Sequence, residues 1–280
     1  MKILFDIGGS KMRIAGTRGE GSFTEPVINK TPPTAEEGLE IFSRVVEEIR
    51  NDESVEGLYG GITGVWDAER DHLVYSPNME GWVGTSIRSL FTDRFSVPFV
   101  VENDADIVGL GEARFGAGKG SAVCAYITIS TGVGGGRIVD GRIDRSTVGF
   151  EPGHHILHRG LLEEGQRYEA SFEGHVSGTA LEQRSGVKAY EIPQDDDVWE
   201  ELAHKSALGV YNSILFWSPD TIVLGGSMIV GDPAIPIDRI RDHVYDIGAF
   251  LPTLPEIKKA ELESIGGIYG ALALSDDDLS

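Results

Sequence analysis

The sequence predicts a two-lobed α/β protein built from two related halves. A strand, a glycine turn and a second strand occur at residues 2–16 and again near 122–140, and helical and strand patterns alternate after each. This alternation is typical of α/β folds, and the repeat indicates duplicated halves. No low-complexity linker separates the halves, so we expect the chain to cross between them in a tight segment near Glu102–Asp106. The expected small N-terminal lobe consists of residues 1–104 plus about 262–280, and the large lobe of residues 105–261.

Local signals define the elements that carry polar residues. Thr34–Glu37 fits a capping box, and apolar residues at helical spacing follow it. A strand is expected at Val55–Ile62, interrupted near its end by Gly60-Gly61, and a short buried strand at Val97–Val101. Because α/β folds bind ligands where strands end, the polar run Glu102–Asp106 after this last strand is a candidate site.

Three glycine turns follow predicted strands. In Asp6-Ile7-Gly8-Gly9-Ser10-Lys11, the bare backbone lets N–H groups approach phosphate oxygens, and Asp6 can hold a hydrated Mg²⁺. An ordinary hairpin turn is the alternative, and the Gly-Lys-Ser/Thr ending of a P-loop is missing. Ser130–Gly136 has four glycines in seven positions and is interpreted as a phosphate cradle. Leu224–Ser227 follows a third strand and would let the backbone approach an adenine or ribose, and an ordinary structural turn is the alternative.

Asp104 is the candidate catalytic base. Phosphoryl transfer to an alcohol needs a carboxylate that accepts the hydroxyl proton, and neighbours that fix the geometry of the alcohol. Asp104 fits the first requirement and Asn103 the second. A purely structural alternative is that Asp104 caps the helix predicted at Ala105–Phe115.

Glu151, His154 and Glu173 are candidates for polyol recognition, since each sugar hydroxyl needs a donor and an acceptor. The alternative for each is an ordinary surface position.

Composition excludes several other classes of protein. The net charge of −21 repels nucleic acid and anionic membranes, so neither is an expected partner. Apolar runs are too short for a membrane span, and the N-terminus lacks the apolar region of a signal peptide. The single cysteine, Cys124, permits no internal disulfide. The cytoplasm is therefore the expected compartment.

The ordered motifs resemble the ROK family of sugar kinases and sugar-responsive repressors over about Lys2 to Ala273. Their order carries the resemblance, and they are Asp6–Lys11, Ser76–Asn78 with Gly81-Trp82, Glu102–Asp106, Gly111–Gly118, Ser130–Gly136, Glu151–His154 and Glu173 with Val176–Leu181. The resemblance implies an actin-like (ribonuclease H-like) ATPase fold with a central cleft.

The resemblance also implies roles for individual residues. Asp104 would be the catalytic base. Asn103, Glu151, His154, Glu173, Asn78 and Gly61 would bind the sugar. Asp6 would lie near Mg²⁺ and contact it through water. Gly8, Gly9, Ser10, Lys11, Thr131 and Gly132 would bind the phosphates of ATP, and Gly225 and Gly226 the adenosine.

One departure from the family concerns zinc. Many members hold zinc with three cysteines and the histidine that matches His154, but the cysteine positions here carry Glu164, Gln166 and Ser171. We therefore expect no zinc site. The loop that presents His154 and Glu173 would then be braced by other contacts, and the sequence offers the packing of Leu161, Leu162, Tyr168 and Phe172.

The reaction implied by the resemblance is ATP plus a hexose or hexose derivative giving ADP and the sugar 6-phosphate, with Mg²⁺. Two alternatives remain: a kinase that uses polyphosphate, and a non-catalytic sugar-binding regulatory protein. The sequence does not identify the sugar. Dimers are common among the relatives, so a homodimer is one expectation.

Overall fold

The computed structural model describes residues 1–19, 21–146 and 149–277, except for the side chain of Glu263. Residues 278–280 of the predicted small lobe lie outside the described residues. The strands are β1 (Lys2–Ile7), β2 (Lys11–Gly16), β3 (Val27–Lys30), β4 (Gly57–Ile62), β5 (Val65–Trp66), β6 (Leu73–Tyr75), β7 (Phe99–Glu102), β8 (Val123–Ile129), β9 (Val133–Val139), β10 (Arg142–Ile143), β11 (Thr221–Gly225) and β12 (Glu256–Lys259).

The α-helices are α1 (Ala35–Ile49), α2 (Ile87–Phe95), α3 (Asp104–Phe115), α4 (Arg159–Glu163), α5 (Phe172–Val176), α6 (Gly178–Ser185), α7 (Val198–Trp217), α8 (Ser227–Val230), α9 (Ile237–Ile247) and α10 (Gly266–Asp277). Short 3₁₀ segments lie at Glu80–Trp82, Pro152–His154, Ala189–Glu191 and Glu263–Ile265.

The chain folds into two compact units. The first consists of Met1–Arg114 and the described residues from Ser264 onward, and the second of Phe115–Glu263. Most of α3 therefore belongs to the first unit, whereas the lobe boundary predicted from the sequence assigned the residues after Asp104 to the large lobe. The functional division into a small and a large lobe stays a prediction.

Ten of the described strands form two mixed sheets of the same topology, and β5 and β6 form a separate antiparallel pair. The first has the order β3-β2-β1-β4-β7 and the second the order β10-β9-β8-β11-β12. In each, an antiparallel hairpin opens the sheet, and its first strand then pairs in parallel with a later strand. The prediction of two related α/β halves is confirmed by this repetition.

The first unit places helices α1, α2 and α10 against its sheet. Thr34 caps α1 by accepting a hydrogen bond from the Glu37 N–H at 3.3 Å, as the capping box predicts, and Leu39, Phe42 and Val46 are buried. Helix α10 approaches α3 so closely that a Cβ on Gly270 would lie 1.7 Å from the Ile107 carbonyl oxygen. Glycine is thus required there by helix packing.

The second unit encloses its core between the sheet and helices α5, α7 and α9. Phe172, the first residue of α5, is fully buried. Its ring lies on α7 at Gly209, where a Cβ would come within 2.5 Å of the ring. This contact fixes α5, and with it the adjacent Glu173.

Two predictions about glycines are wrong. Gly60 and Gly61 do not interrupt their strand but lie within β4, where a Cβ on Gly60 would be 2.0 Å from the Phe5 carbonyl oxygen. Gly134–Gly136 do not belong to a long turn but to β9, where a Cβ on Gly135 would lie 2.7 Å from the Tyr126 carbonyl oxygen. The close approach of the neighbouring strand in the same sheet explains Gly60 and Gly135, and the second turn shrinks to residues 130–132.

None of the helices in the described residues combines the length and apolar character needed to cross a membrane.

Replacing Gly209 tests the contact between α5 and α7. Alanine normally favours a helix over glycine, but here its methyl group would press on the Phe172 ring. We expect Gly209→Ala to lower the free energy of unfolding by about 1–3 kcal/mol, the usual cost of overpacking a core. Urea unfolding measures this loss.

A double-mutant cycle supplies the control. In a Phe172→Leu background, Gly209→Ala is expected to cost clearly less, because the smaller side chain relieves the clash. Additive losses, within about 0.5 kcal/mol, would show that the two residues do not press on each other.

Candidate functional site

Asn103 and Asp104 lie where β7 ends and α3 begins. Asn103 Oδ1 accepts a hydrogen bond from the Ala105 N–H at 2.8 Å, and its Nδ2 donates to the Gly64 carbonyl oxygen at 2.9 Å. Asn103 therefore supplies the helix cap that the structural alternative assigned to Asp104. Since Asn103 performs this function, Asp104 is available for another one.

The Asp104 carboxyl group is held at both oxygens. The Thr63 hydroxyl donates to Oδ2 at 2.6 Å, and the Ala105 N–H donates to Oδ1 at 3.0 Å. Removal from water raises the pKa of Asp104 above its usual range, and the Thr63 and Ala105 hydrogen bonds oppose this rise because they stabilise the charged form. A carboxylate with a raised pKa is a stronger proton acceptor, as general-base catalysis requires.

Asp6 lies near the end of β1 in the same unit, opposite Arg13 on β2 and beside Gly61 on β4. Arg13 Nη1 donates to Asp6 Oδ2 at 3.1 Å. Burial and, to a smaller extent, the charge of Asp104 raise the pKa of Asp6 to about 6 in spite of the Arg13 guanidinium. Gly61 pairs with Asp6 and also lies near Asp104, since a Cβ there would be 3.5 Å from the Asp104 Cα.

The turn between β1 and β2 is held from two sides. The Gly8 N–H donates to the Lys11 carbonyl oxygen at 2.9 Å, and the Thr31 hydroxyl donates to the Gly8 carbonyl oxygen at 2.6 Å. Gly9 faces Asn78, because a Cβ on Gly9 would lie 2.5 Å from the Asn78 Cβ. Ser10 is at the tip and exposed. The predicted phosphate turn and one predicted sugar residue are thus neighbours.

An open groove of about 730 Å³ borders this turn within the first unit. Its lining residues are Gly9, Lys30, Thr31, Pro32, Pro33, Thr34, Ile41, Pro77, Asn78, Met79, Glu80 and Gly81. Lys11 and Lys30 stand directly opposite each other on β2 and β3. Like charges in this arrangement are destabilising, so an anion at the turn would relieve their repulsion.

The predicted residues of the second unit converge on Val133, the first residue of β9. The Val133 N–H donates to Glu173 Oε2 at 2.8 Å. On its carbonyl side lies Gly153, where a Cβ would approach the Val133 oxygen to 2.3 Å. Gly153 belongs to the 3₁₀ segment that ends at His154, and the His154 N–H donates to the Glu151 carbonyl oxygen at 3.2 Å. The side chains of Glu151 and His154 are exposed.

Gly225 and Gly226 lie at the end of β11. Gly226 has φ +85°, and a Cβ on it would lie 2.3 Å from the Ile129 carbonyl oxygen. A Cβ on Gly225 would meet the Tyr126 hydroxyl oxygen at 2.5 Å. Packing therefore accounts for both glycines, and their contact with adenosine stays a prediction.

Asp6 fits a magnesium ion better than the zinc positions fit zinc. A single carboxylate next to a phosphate-binding turn is a common Mg²⁺ arrangement, with waters and phosphates as the other ligands. At the zinc positions, the Ser171 hydroxyl donates to the Tyr168 carbonyl oxygen at 2.6 Å and accepts from the Gly174 N–H at 3.1 Å. Ser171 thus caps α5. A capping hydroxyl and a carboxamide do not fit zinc.

Hydrogen bonds brace the loop that leads to Glu173. Within the described residues, no group of three or more His, Cys, Asp or Glu is placed to hold a metal. The Leu157 N–H donates to the Ala170 carbonyl oxygen at 2.8 Å, and the Phe172 N–H to the His155 carbonyl oxygen at 2.7 Å. Of the residues suggested for packing, Phe172 is fully buried and Leu162 is exposed.

Arg13 and Thr63 contact the two buried aspartates but were not predicted from the sequence. The hairpin pattern could have indicated Arg13, because a hairpin that pairs Ile7 with Met12 also pairs Asp6 with Arg13. No local pattern indicates Thr63, since it follows β4 and contacts Asp104 only because β4 pairs in parallel with β7.

Comparisons with known proteins agree with this fold. The hexokinase of the ROK family from Thermus thermophilus superimposes with a TM-score of 0.84 at 25% identity, covering 99% of both chains. A ROK family glucokinase from Streptomyces griseus, in complex with glucose and AMPPNP, has a TM-score of 0.78 at 27% identity, covering 98% of both. A putative fructokinase of Bacillus subtilis (strain 168) is 27% identical over 98% of this chain and 95% of its own.

The repeated sheets and these structural neighbours define an actin-like ATPase fold. The family model described as ROK family matches residues 3–278, so the chain belongs to the ROK family.

Replacing Thr63 tests its bond to Asp104. Thr63→Val removes a hydrogen bond that stabilises the charged carboxylate, so the pKa of Asp104 should rise further. A general base at this position acts only in its ionised form, so the acid limb of kcat/KM for a sugar substrate should move to higher pH. Thr63→Ser keeps the hydroxyl and serves as the matched control. Identical pH profiles for the valine and serine variants would contradict the role of Thr63.

Metal analysis tests the zinc expectation. The purified protein should contain no stoichiometric zinc, and treatment with EDTA followed by excess Mg²⁺ should restore full activity. One tightly bound zinc per chain, lost together with activity that Mg²⁺ does not restore, would contradict the hydrogen-bonded brace.

Proposed function

We propose that this chain transfers the γ-phosphoryl group of ATP to the 6-hydroxyl group of a hexose or hexose derivative, with Asp104 as the general base. The observation that carries the proposal is the Asp104 carboxyl group, which is held by Thr63 and Ala105, has a raised pKa, and lies in the same unit as Asp6. Membership of the ROK family and the kinases among its relatives support it.

The proposed chemistry is an in-line displacement. Asp104 accepts the proton of the sugar 6-hydroxyl group while the hydroxyl oxygen bonds to the γ-phosphorus. The bond from that phosphorus to the bridging oxygen breaks, and ADP leaves with the electron pair. The products are ADP and the sugar 6-phosphate, with the proton on Asp104 until water removes it.

The sugar would be bound by Asn78, Gly61, Asn103, Glu151, His154 and Glu173. Carboxylate, amide and imidazole groups supply both donors and acceptors to hydroxyl groups. The Asn103 amide already holds two main-chain groups, so its second N–H would serve the sugar. A contact of this kind discriminates between sugars by a few kcal/mol.

ATP would be bound by main-chain N–H groups of Gly8, Gly9, Ser10, Thr131 and Gly132, with Lys11 nearby and Gly225-Gly226 against the adenosine. A chain with a net charge of −21 opposes binding of ATP, so local N–H groups must offset the phosphate charge. Asp6 would hold Mg²⁺ through water. The ion would neutralise charge on the β- and γ-phosphates.

A small-molecule sugar is the proposed partner. The acidic surface disfavours nucleic acid, and we further propose a cytoplasmic location and a homodimer for this chain.

Asp104→Asn tests the proposed base directly. Asparagine keeps the shape of the side chain but cannot accept the proton, so turnover should fall by about 10² or more while sugar binding stays largely intact. The measurement is ADP release with Mg²⁺ over a panel of hexoses, together with sugar affinity by calorimetry. Asp93→Asn, an exposed substitution in the same unit, is the control and should leave turnover unchanged.

The same assay separates the alternatives. Near-normal turnover of Asp104→Asn would remove Asp104 from the mechanism. Turnover with polyphosphate but not ATP would replace the donor. Binding of a sugar without turnover of any donor would indicate a regulatory protein instead of a kinase.

A further inference from the structure

The short turn between β8 and β9 is joined to the start of two helices. The Ser130 N–H donates to the Gly132 carbonyl oxygen at 2.8 Å, which closes the turn. The Gly178 N–H, at the start of α6, donates to the Ser130 carbonyl oxygen at 2.7 Å. From α5, Glu173 Oε2 accepts the Val133 N–H at 2.8 Å. The turn is therefore held by the same segment that carries a proposed sugar ligand.

The Glu173 carboxylate lies directly against Gly132. A Cβ on Gly132 would be 2.7 Å from Glu173 Oε2 and 3.4 Å from its Cδ. Gly132 does not have a positive φ, so backbone conformation does not require glycine at this position. A side chain at this position would displace the carboxylate.

This placement puts a negative charge beside a turn that is proposed to hold phosphates. Like charges at short range repel, so an ionised Glu173 disfavours the donor. A sugar hydroxyl group that donates a hydrogen bond to Glu173 disperses part of that charge. It also adds to the hydrogen bond from Val133 in fixing the carboxylate.

We propose that Glu173 couples the two substrates: with no sugar bound its charge weakens binding of the phosphate donor at the turn of residues 130–132, and a hydrogen bond from a bound sugar lowers this penalty. The inference rests on the proposed function, since it needs Glu173 to contact the sugar. Its consequence is that the donor binds more tightly when an acceptor is present. Transfer of the phosphoryl group to water is then less favoured.

Calorimetry of AMPPNP with Mg²⁺, with and without a saturating sugar, tests the coupling. In the unmodified protein the sugar should tighten nucleotide binding by about tenfold, within the usual range of coupling between sites. Glu173→Gln removes the charge but keeps an oxygen that accepts the Val133 N–H. It should bind AMPPNP more tightly without sugar, and the effect of sugar should fall towards onefold.

Two further variants separate charge from the hydrogen bond. Glu173→Ala loses both and should weaken nucleotide binding with or without sugar, because the turn is no longer fixed. Gly132→Ala should behave in the same way, since its methyl group displaces the carboxylate. Glu182→Gln removes an equal charge from an exposed position on α6 and should leave the coupling unchanged.

The outcomes distinguish this inference from the proposed function. Suppose that the protein phosphorylates a sugar and that the sugar changes AMPPNP affinity equally in the unmodified protein and in Glu173→Gln. This result would overturn the coupling, while the proposed kinase activity would stand. Absence of any effect of sugar on AMPPNP binding in the active unmodified protein would also overturn it. If no sugar is bound or phosphorylated, the proposed function falls and the coupling falls with it.

Discussion

The chemistry of the first unit depends on two carboxyl groups that have lost much of their contact with water, since Asp6 is buried and Asp104 is partly buried. Taking an ionised carboxylate out of water is costly, and each group here is stabilised by few partners. Arg13 donates a hydrogen bond to Asp6, and Thr63 donates one to Asp104. Glycines let neighbouring elements close over the pair, since a Cβ on Gly267 would lie 2.7 Å from the Asp6 Cγ. The result is a pair of acids whose pKa values are raised, as expected of groups that exchange protons or cations.

Much of the fold was predicted because hairpins, capping boxes and buried strands are formed by residues that are close together in the sequence. The repeated hairpins are visible in sequence, and their repetition in two sheets is confirmed. Glycines in β4 and β9 were misread because glycine is a turn signal locally, whereas here it is required by a neighbouring strand or segment. The edge strands β3 and β12 were not predicted because each has only four residues and is partly exposed. Each is defined by its pairing with one neighbouring strand, β2 or β11, and this pairing leaves no local pattern in the sequence.

Site residues could be predicted from the sequence only where reactive side chains are neighbours in the chain. Asn103 and Asp104 were found because they form a polar run where a buried strand ends. The structure adds that Asn103 caps the helix, so the two residues divide the roles that the sequence left open. The contact of Glu173 with Val133 joins residues forty positions apart, and no local pattern encodes it. Contacts of this kind come from tertiary packing, here the burial of Phe172 on Gly209.

Direct titration of the two aspartates measures the effect of burial on their carboxyl groups. Carboxyl carbons labelled with ¹³C can be followed by NMR, with Asp6→Asn and Asp104→Asn assigning the signals. We expect Asp6 to titrate with a midpoint of about 6 and Asp104 to titrate above the ordinary range of an aspartate. Titration of both groups at about 3.9, as in a solvated peptide, would show that removal from water raises neither pKa and that the two groups are ordinary surface carboxylates.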